Sequence, residues 1–352
     1  MSRSNHIVPA VGAAATPSAP EMSVVIPVYK GQRFVKELVR RLHESLDRIS
    51  SDYEIIMVDD RSPDDGWPLM VEEARADPRV IAIRLSRNFG QHAAITAGLE
   101  RARGRWNCVM DCDLQDAPED IVALYHEAQA TGAQTVIAVR KSSGLGLGRN
   151  LGSAVFNTLL KWMSGLDLST KQGNFRVFSY KVANAYRAYP EQMRLFPAIM
   201  SQVGFETRHL LLARAKREGG GSSYSFGKLV SLAFDAFTAY SDKPLRNVAF
   251  FGLWICLAAG LFGLYTILRA LVFGIYVPGY ASIVAILAFT SGFQIFLLGF
   301  VGVYVGRVLN ETKHRPVFIV DAIVDARSSP DADVSLMAEA ENRGQALQTA
   351  QI

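Results

Sequence analysis

Between residues 22 and 139 the chain alternates short apolar runs with longer segments whose apolar residues recur every four positions or so. Ser23-Val24-Val25-Ile26-Pro27-Val28 and Glu54-Ile55-Ile56-Met57-Val58 are such runs, as are residues 80–85 and 106–110. Apolar runs of this length, closed by turn residues, predict buried strands, and residues 136–139 predict a fifth. Phe34, Leu38, Leu42 and Leu46 mark one stripe of an amphipathic helix over residues 33–49, and residues 91–103 are helix-like. Alternating strands and helices predict an α/β domain with a mostly parallel sheet and helices on both faces. Ligands of such sheets bind beyond the carboxyl ends of the strands.

Downstream the pattern changes. Phe226, Leu229, Val230, Phe234 and Phe237 fall at helical spacing, which predicts an interfacial amphipathic helix and linker over residues 226–246. Residues 247–306 predict a two-helix transmembrane hairpin, built from apolar runs at 247–268 and 283–306. Each run is long enough for a hydrocarbon core of about 30 Å. Gly260, Gly263, Gly292 and Gly299 would let the two helices approach closely. Lys243 and Arg246 precede the hairpin, and Arg307, Lys313 and Arg315 follow it. The positive-inside rule then places both flanks, and so the catalytic domain and both termini, on the cytoplasmic side of a two-pass protein. Arg269 dissents weakly and would snorkel. Residues 1–20, rich in Ala, Pro and Ser, and the chain from about 328 onward are expected to be disordered. The expected division is a catalytic domain at 21–225, the helix and linker, the hairpin, and a cytoplasmic segment at 307–352.

Composition changes this picture little. The chain has 352 residues, 49% hydrophobic and 20% charged. A net charge of +4 is too mild to argue for nucleic acid. Cys108, Cys112 and Cys256 form no Cys-x-x-Cys pair and are expected to be reduced core thiols.

The candidate chemistry lies at the strand ends. Asp59-Asp60 closes the second predicted strand, and Asp111-Cys112-Asp113-Leu114-Gln115 follows the fourth. Four acids on one rim are costly without a cation or a hydrogen-bonded ligand. Two carboxylates two residues apart suit a hard cation such as Mg²⁺ or Mn²⁺, which leaves positions for substrate phosphates.

Four segments in order carry a resemblance: Val25-Ile26-Pro27-Val28-Tyr29, Val58-Asp59-Asp60-Arg61-Ser62-Pro63-Asp64-Asp65, Arg87-Asn88-Phe89-Gly90-Gln91, and Asp111-Cys112-Asp113-Leu114-Gln115-Asp116-Ala117-Pro118-Glu119. The chain resembles family 2 inverting glycosyltransferases of the GT-A fold, and within them the polyprenyl-phosphate glycosyltransferases of bacterial and dolichol pathways. The resemblance implies a catalytic set of Asp111, Asp113 and Arg176. It implies nucleotide contacts from Pro27, Tyr29, Asp59 and Asp60, and metal ligation by Asp111, Asp113 and Gln115. It also implies a nucleotide-sugar donor, most often UDP-linked, a polyprenyl phosphate acceptor, the bacterial inner membrane, and a homotetramer.

The acceptor side is expected downstream. The basic, Gly-rich segment of residues 140–150, with Lys141, Ser142 and Arg149, suits a phosphate. A dinucleotide fingerprint is excluded there, because Arg149 stands where the third glycine is required. Arg217, Ser223, Tyr224 and Lys228 match the family's second phosphate-contacting segment. Asn174-Phe175-Arg176 departs from the family's Asp-Phe-Arg pattern, which questions a general base at that position. A lipid monophosphate is already ionised near neutral pH and needs orientation more than proton removal. A processive polysaccharide synthase lacks support, since no Gln-x-x-Arg-Trp is present. A nucleotidyltransferase would not need two spans, and a non-catalytic membrane scaffold with a degenerate transferase domain stays as the alternative.

Overall fold

The computed structural model describes residues 19–140, 172–212 apart from 193, and 279–327 apart from 314, with scattered single positions between 252 and 272. Strands β1 (Met22–Val28), β2 (Tyr53–Asp59), β3 (Val80–Leu85) and β4 (Trp106–Val109) form the parallel centre of an eight-stranded sheet. β5 (Thr135–Arg140), β6 (Gln172–Ser179) and β7 (Thr207–Leu212) extend it past β4, and β8 (Val320–Asp325) closes the other edge. The order across the sheet is β7-β5-β6-β4-β1-β2-β3-β8. β1 pairs in parallel with β2 and β4, β2 with β3, and β5 with β7; β6 and β8 run antiparallel to their neighbours. The mostly parallel α/β sheet predicted from the pattern is what forms.

Every position of β1 and β2 is buried, because helices cover both faces. Val24, Ile26 and Val28 point to one layer, where they pack with Leu38 and Leu42 of α1 (Val35–Leu46), Met70 of α2 (Gly66–Ala76) and Leu124 of α4 (Asp120–Thr131). Val25, Ile56 and Val58 point to the other, against Ile95 and Leu99 of α3 (Gln91–Arg101), Tyr186 of α5 (Tyr180–Arg187) and Phe196 of α6 (Phe196–Gln202). Gly98 sets how near α3 lies: a Cβ there would be 2.3 Å from Val25 Cγ1 and 3.1 Å from Val58 Cγ2. Cys108 and Cys112 are free thiols, as expected, and burial raises the Cys112 pKa to about 12; Cys256 lies outside the described residues.

Two features extend the sequence reading. β8, from the segment expected to lie beyond the catalytic domain, joins the catalytic sheet along β3. Arg327 just after it reaches the fully buried Glu54 at 3.1 Å, and Asp325 accepts a bond from Arg101 at 2.9 Å. The second apolar run forms α7 (Tyr280–Thr312), 33 residues and so roughly 50 Å long. Its end is fastened to the domain where the Gln192 N–H donates to Glu311 Oε2 at 3.1 Å. Among the described residues no helix is long and apolar enough to cross a membrane. Several side chains of α7 and nearly all of residues 247–268 fall outside them, as does the interfacial helix expected at 226–246.

Candidate active site

The carboxyl ends of β1, β2 and β4 turn sharply, and each turn holds a non-glycine residue in the left-handed region: Lys30 (φ 56°), Arg61 (φ 53°) and Leu114 (φ 56°). Such backbone is uncommon for a residue with a side chain and persists where its surroundings hold it. Hydrogen bonds supply that hold. The Lys30 N–H donates to Ser62 Oγ at 2.7 Å, the Gln32 N–H to Asp64 Oδ2 at 3.0 Å, and the Ser62 hydroxyl to Asp64 Oδ1 at 2.5 Å. The first two turns are thus tied together through Ser62 and Asp64. Burial works against the Asp64 anion, but the bonds from Ser62, Gln32 and Gly66 hold its pKa below the ordinary value. Gly31 lets the β1 turn meet the β4 turn, since a Cβ there would lie 2.9 Å from Val28 Cγ1 and 3.1 Å from Cys112 Sγ.

Asp59, Asp111 and Asp113 lie on this rim. Asp59 is 1% exposed and accepts the Ser62 N–H at 2.9 Å. Burial raises its pKa, while the Ser62 bond and the nearby Arg84 charge pull it back. Asp60 is also buried, and its two oxygens accept the N–H groups of Phe89 and Gly90 at 2.7 and 2.9 Å. It therefore braces the turn into α3, which carries Gln91. Burial raises its pKa too, against the pull of those two bonds.

Asp111 is held from two sides. Oδ1 accepts Gln91 Nε2 at 2.6 Å and Asn174 Nδ2 at 3.4 Å. Asn174, on β6, thus orients Asp111 as an amide donor and cannot serve as a base. Gln91 closes the Arg87-Asn88-Phe89-Gly90-Gln91 segment, and only the fold shows its amide reaching the carboxylate. Asp113 accepts both the backbone and side-chain N–H of Gln115, at 3.1 and 2.5 Å. Pro27 is buried in β1, whereas the Tyr29 ring is 46% exposed, with Lys30 Nζ 5.6 Å from its centroid. An open ring at the mouth of the site suits stacking against a base.

Arg176 is not on the surface of this rim. It is 2% exposed, stacked 5.1 Å from the Phe196 ring, and donates from Nη2 to the Gly173 carbonyl at 2.9 Å. Its Nε has no partner, and burial lowers its pKa to about 10, which still leaves it charged at neutral pH. It contributes a fixed positive charge from beneath the β6 end. Lys141, Ser142, Arg149, Arg217, Ser223, Tyr224 and Lys228 lie outside the described residues.

Among the described residues no cluster of three or more His, Cys, Asp or Glu gathers in metal-binding geometry. The donor set nonetheless fits a hard divalent ion: Asp111 and Asp113 offer carboxylates and Gln115 an amide oxygen. Mg²⁺ commonly takes one or two carboxylates and fills the rest with water and substrate phosphates.

Comparison with known proteins agrees with this geometry. Residues 23–187 match the model of "Glycosyl transferase family 2". An uncharacterized glycosyltransferase of Bacillus subtilis (strain 168), YkcC, is 33% identical over 85% of this chain and 93% of its own length. The undecaprenyl-phosphate 4-deoxy-4-formamido-L-arabinose transferase of Pseudomonas fluorescens (strain SBW25) is 33% identical over 88% of this chain and 91% of its own. A solved structure of glucosyl-3-phosphoglycerate synthase from Mycobacterium tuberculosis, with Mn²⁺ and UDP-glucose, is 16% identical over 62% of this chain and 77% of that one, with a TM-score of 0.41. The length and identity of the sequence matches, with the acids at the strand ends, make this chain a member of glycosyl transferase family 2.

Proposed function

We propose that this chain, with a GT-A catalytic domain, transfers a sugar from a UDP-sugar to a polyprenyl phosphate such as undecaprenyl phosphate, inverting the anomeric carbon. One observation carries the reading: Asp59 at the carboxyl end of β2, and Asp111 and Asp113 just beyond that of β4, lie on the same edge of the sheet, on the two strands that flank β1. The name of the Pseudomonas relative supports the acceptor.

Asp59 accepts a hydrogen bond from the uracil N–H or a ribose hydroxyl, and Tyr29 lies against the base. Asp111 and Asp113, with the Gln115 amide oxygen, hold Mg²⁺ or Mn²⁺, which when bound offsets the negative charge of the departing diphosphate. Gln91 and Asn174 keep Asp111 aimed at the donor. An oxygen of the lipid phosphate attacks the anomeric carbon; the bond to it forms as the bond to the diphosphate oxygen breaks, and UDP leaves. An α-linked donor so gives a β-linked product, with no covalent enzyme intermediate. The acceptor is already an anion, so an amide at position 174 does not block the reaction. Arg176 supplies charge from below, and Lys141, Arg149, Arg217 and Lys228 serve the phosphates. Residues 247–268 and α7 form the hairpin that brings the site to the cytoplasmic face of the inner membrane, and its glycines suit a tetramer.

Transfer of radiolabel from a panel of UDP- and GDP-sugars to undecaprenyl phosphate tests this, with membranes holding wild type or Asp113→Ala. We expect organic-extractable label from one UDP-sugar, lost with Asp113→Ala or chelator. No lipid-linked label, with no metal-dependent nucleotide binding, would leave the scaffold reading instead.

A further inference from the structure

The antiparallel pairing of β3 with β8 breaks register at one place. Ile83 pairs with Ile323 and Arg84 with Ala322, but Leu85 pairs with Val320, so Asp321 is the extra residue of a bulge. A bulge re-aims a side chain and recurs at sheet edges beside active sites. Here it aims Asp321 at two arginines. Asp321 Oδ2 accepts Arg61 Nη1 at 2.7 Å, Arg84 Nε at 2.9 Å and Arg84 Nη2 at 2.7 Å.

Both arginines belong to the Asp59 end of the rim. Arg61 is the left-handed residue of the β2 turn, between Asp60 and Ser62. Arg84 is the cross-strand partner of Asp59, and its charge bears on that carboxyl. With Asp321 in place, Arg84 is drawn toward the sheet edge and stacks 4.9 Å from the Trp67 ring. Without it, Arg84 would be left to its cross-strand partner Asp59, whose carboxyl its charge already bears on and whose oxygens the nucleotide would need.

We propose that Asp321, supplied from beyond the second apolar helix, is a positioning residue of the donor site: it holds Arg84 away from Asp59 and steadies the Arg61 turn. The inference rests on the nucleotide-sugar reading above. It means that the donor site is completed by chain that follows α7, so a correctly returned C-terminal strand is a condition of donor binding.

These groups are substantially solvent-exposed, so a purely structural role would be slight, and donor affinity is the informative readout. The test uses the full chain in detergent: UDP binding with Mn²⁺ by calorimetry, KM and kcat with the donor sugar, and a melting curve. Asp321→Ala should weaken UDP binding and raise donor KM roughly threefold to fivefold, the scale of an exposed charge network, with kcat and melting temperature nearly unchanged. Asp321→Glu should restore affinity, and Arg84→Met added to Asp321→Ala should recover part of the loss. Unchanged UDP affinity in Asp321→Ala, or a loss that Arg84→Met does not relieve, would overturn the inference alone. Wild-type protein that binds neither UDP nor GDP with metal would sink the donor reading, and this inference with it.

Discussion

Two neutral amides, those of Gln91 and Asn174, donate to Asp111 Oδ1. Amide donors fix the carboxylate without cancelling its charge, which stays available to a metal or a sugar hydroxyl. Gln91→Ala should therefore lower kcat/KM about tenfold while leaving the fold intact, the scale of one hydrogen bond to a charged group. Gln91→Glu should be worse, since it sets a like charge within 2.6 Å of Asp111; steady-state kinetics on the two variants checks the order. The neighbouring His92 has a buried Nδ1 without a partner, and burial lowers its pKa from 6.5 to about 4. The sign follows from proton counting. The unfolded chain binds the extra proton first, so His92 favours unfolding as pH falls from 6.5 towards 4. His92→Phe should flatten the acid side of the stability curve by about 1–3 kcal/mol, seen in denaturant titrations at pH 7 and pH 4.5. An equal acid loss in both proteins would remove His92 from the account.

At the scale of elements, the rim is a set of turns cross-braced by buried acids. Asp60→Ala would leave the Phe89 and Gly90 N–H groups without their acceptor at the start of α3. Losing both bonds should cost about 2–3 kcal/mol of stability and, because that turn carries Gln91, activity as well. Chemical denaturation and transfer assays on one preparation would show whether the two losses travel together. Gly98 acts the same way through packing. In Gly98→Ala a methyl meets the stiff Val25 side chain, and α3 must shift outward at about 1–3 kcal/mol. A melting temperature equal to wild type would show that the helix yields freely.

For the whole molecule, the sheet is closed by a strand that follows α7. Glu54, in β2, is fully buried and receives the Ser23 hydroxyl, the Arg103 N–H and the Arg327 guanidinium, at 2.7, 2.8 and 3.1 Å. It ties the β1–β2 floor to the returning C-terminal segment. Glu54→Ala should destabilise by about 2 kcal/mol or more, since buried donors lose their acceptor. Ending the chain at residue 316 should in addition expose the β3 edge and promote aggregation, measured by light scattering of purified protein. A monodisperse truncated protein would show that β8 is dispensable to the sheet.

The sequence by itself determined the central strands, the helices that follow the first and third of them, and the acids at the strand ends. Each of those signals is local: an apolar run, a stripe such as Leu38, Leu42 and Leu46, a carboxylate beside a turn. It also put a general base at position 174 in doubt, since an amide stands where the family has an acid. Only the tertiary structure decided that Gln91 and Asn174 meet on Asp111, because they arrive from α3 and β6, 83 positions apart in the chain. It alone decided that Asp60 braces a turn and that Arg176 lies under the rim, since burial depends on what packs above a residue. β8 is the clearest case. Six residues with a weak pattern become a strand because the β3 edge, 237 residues away at the Arg84–Asp321 pair, offers unpaired backbone that nothing in the local sequence records.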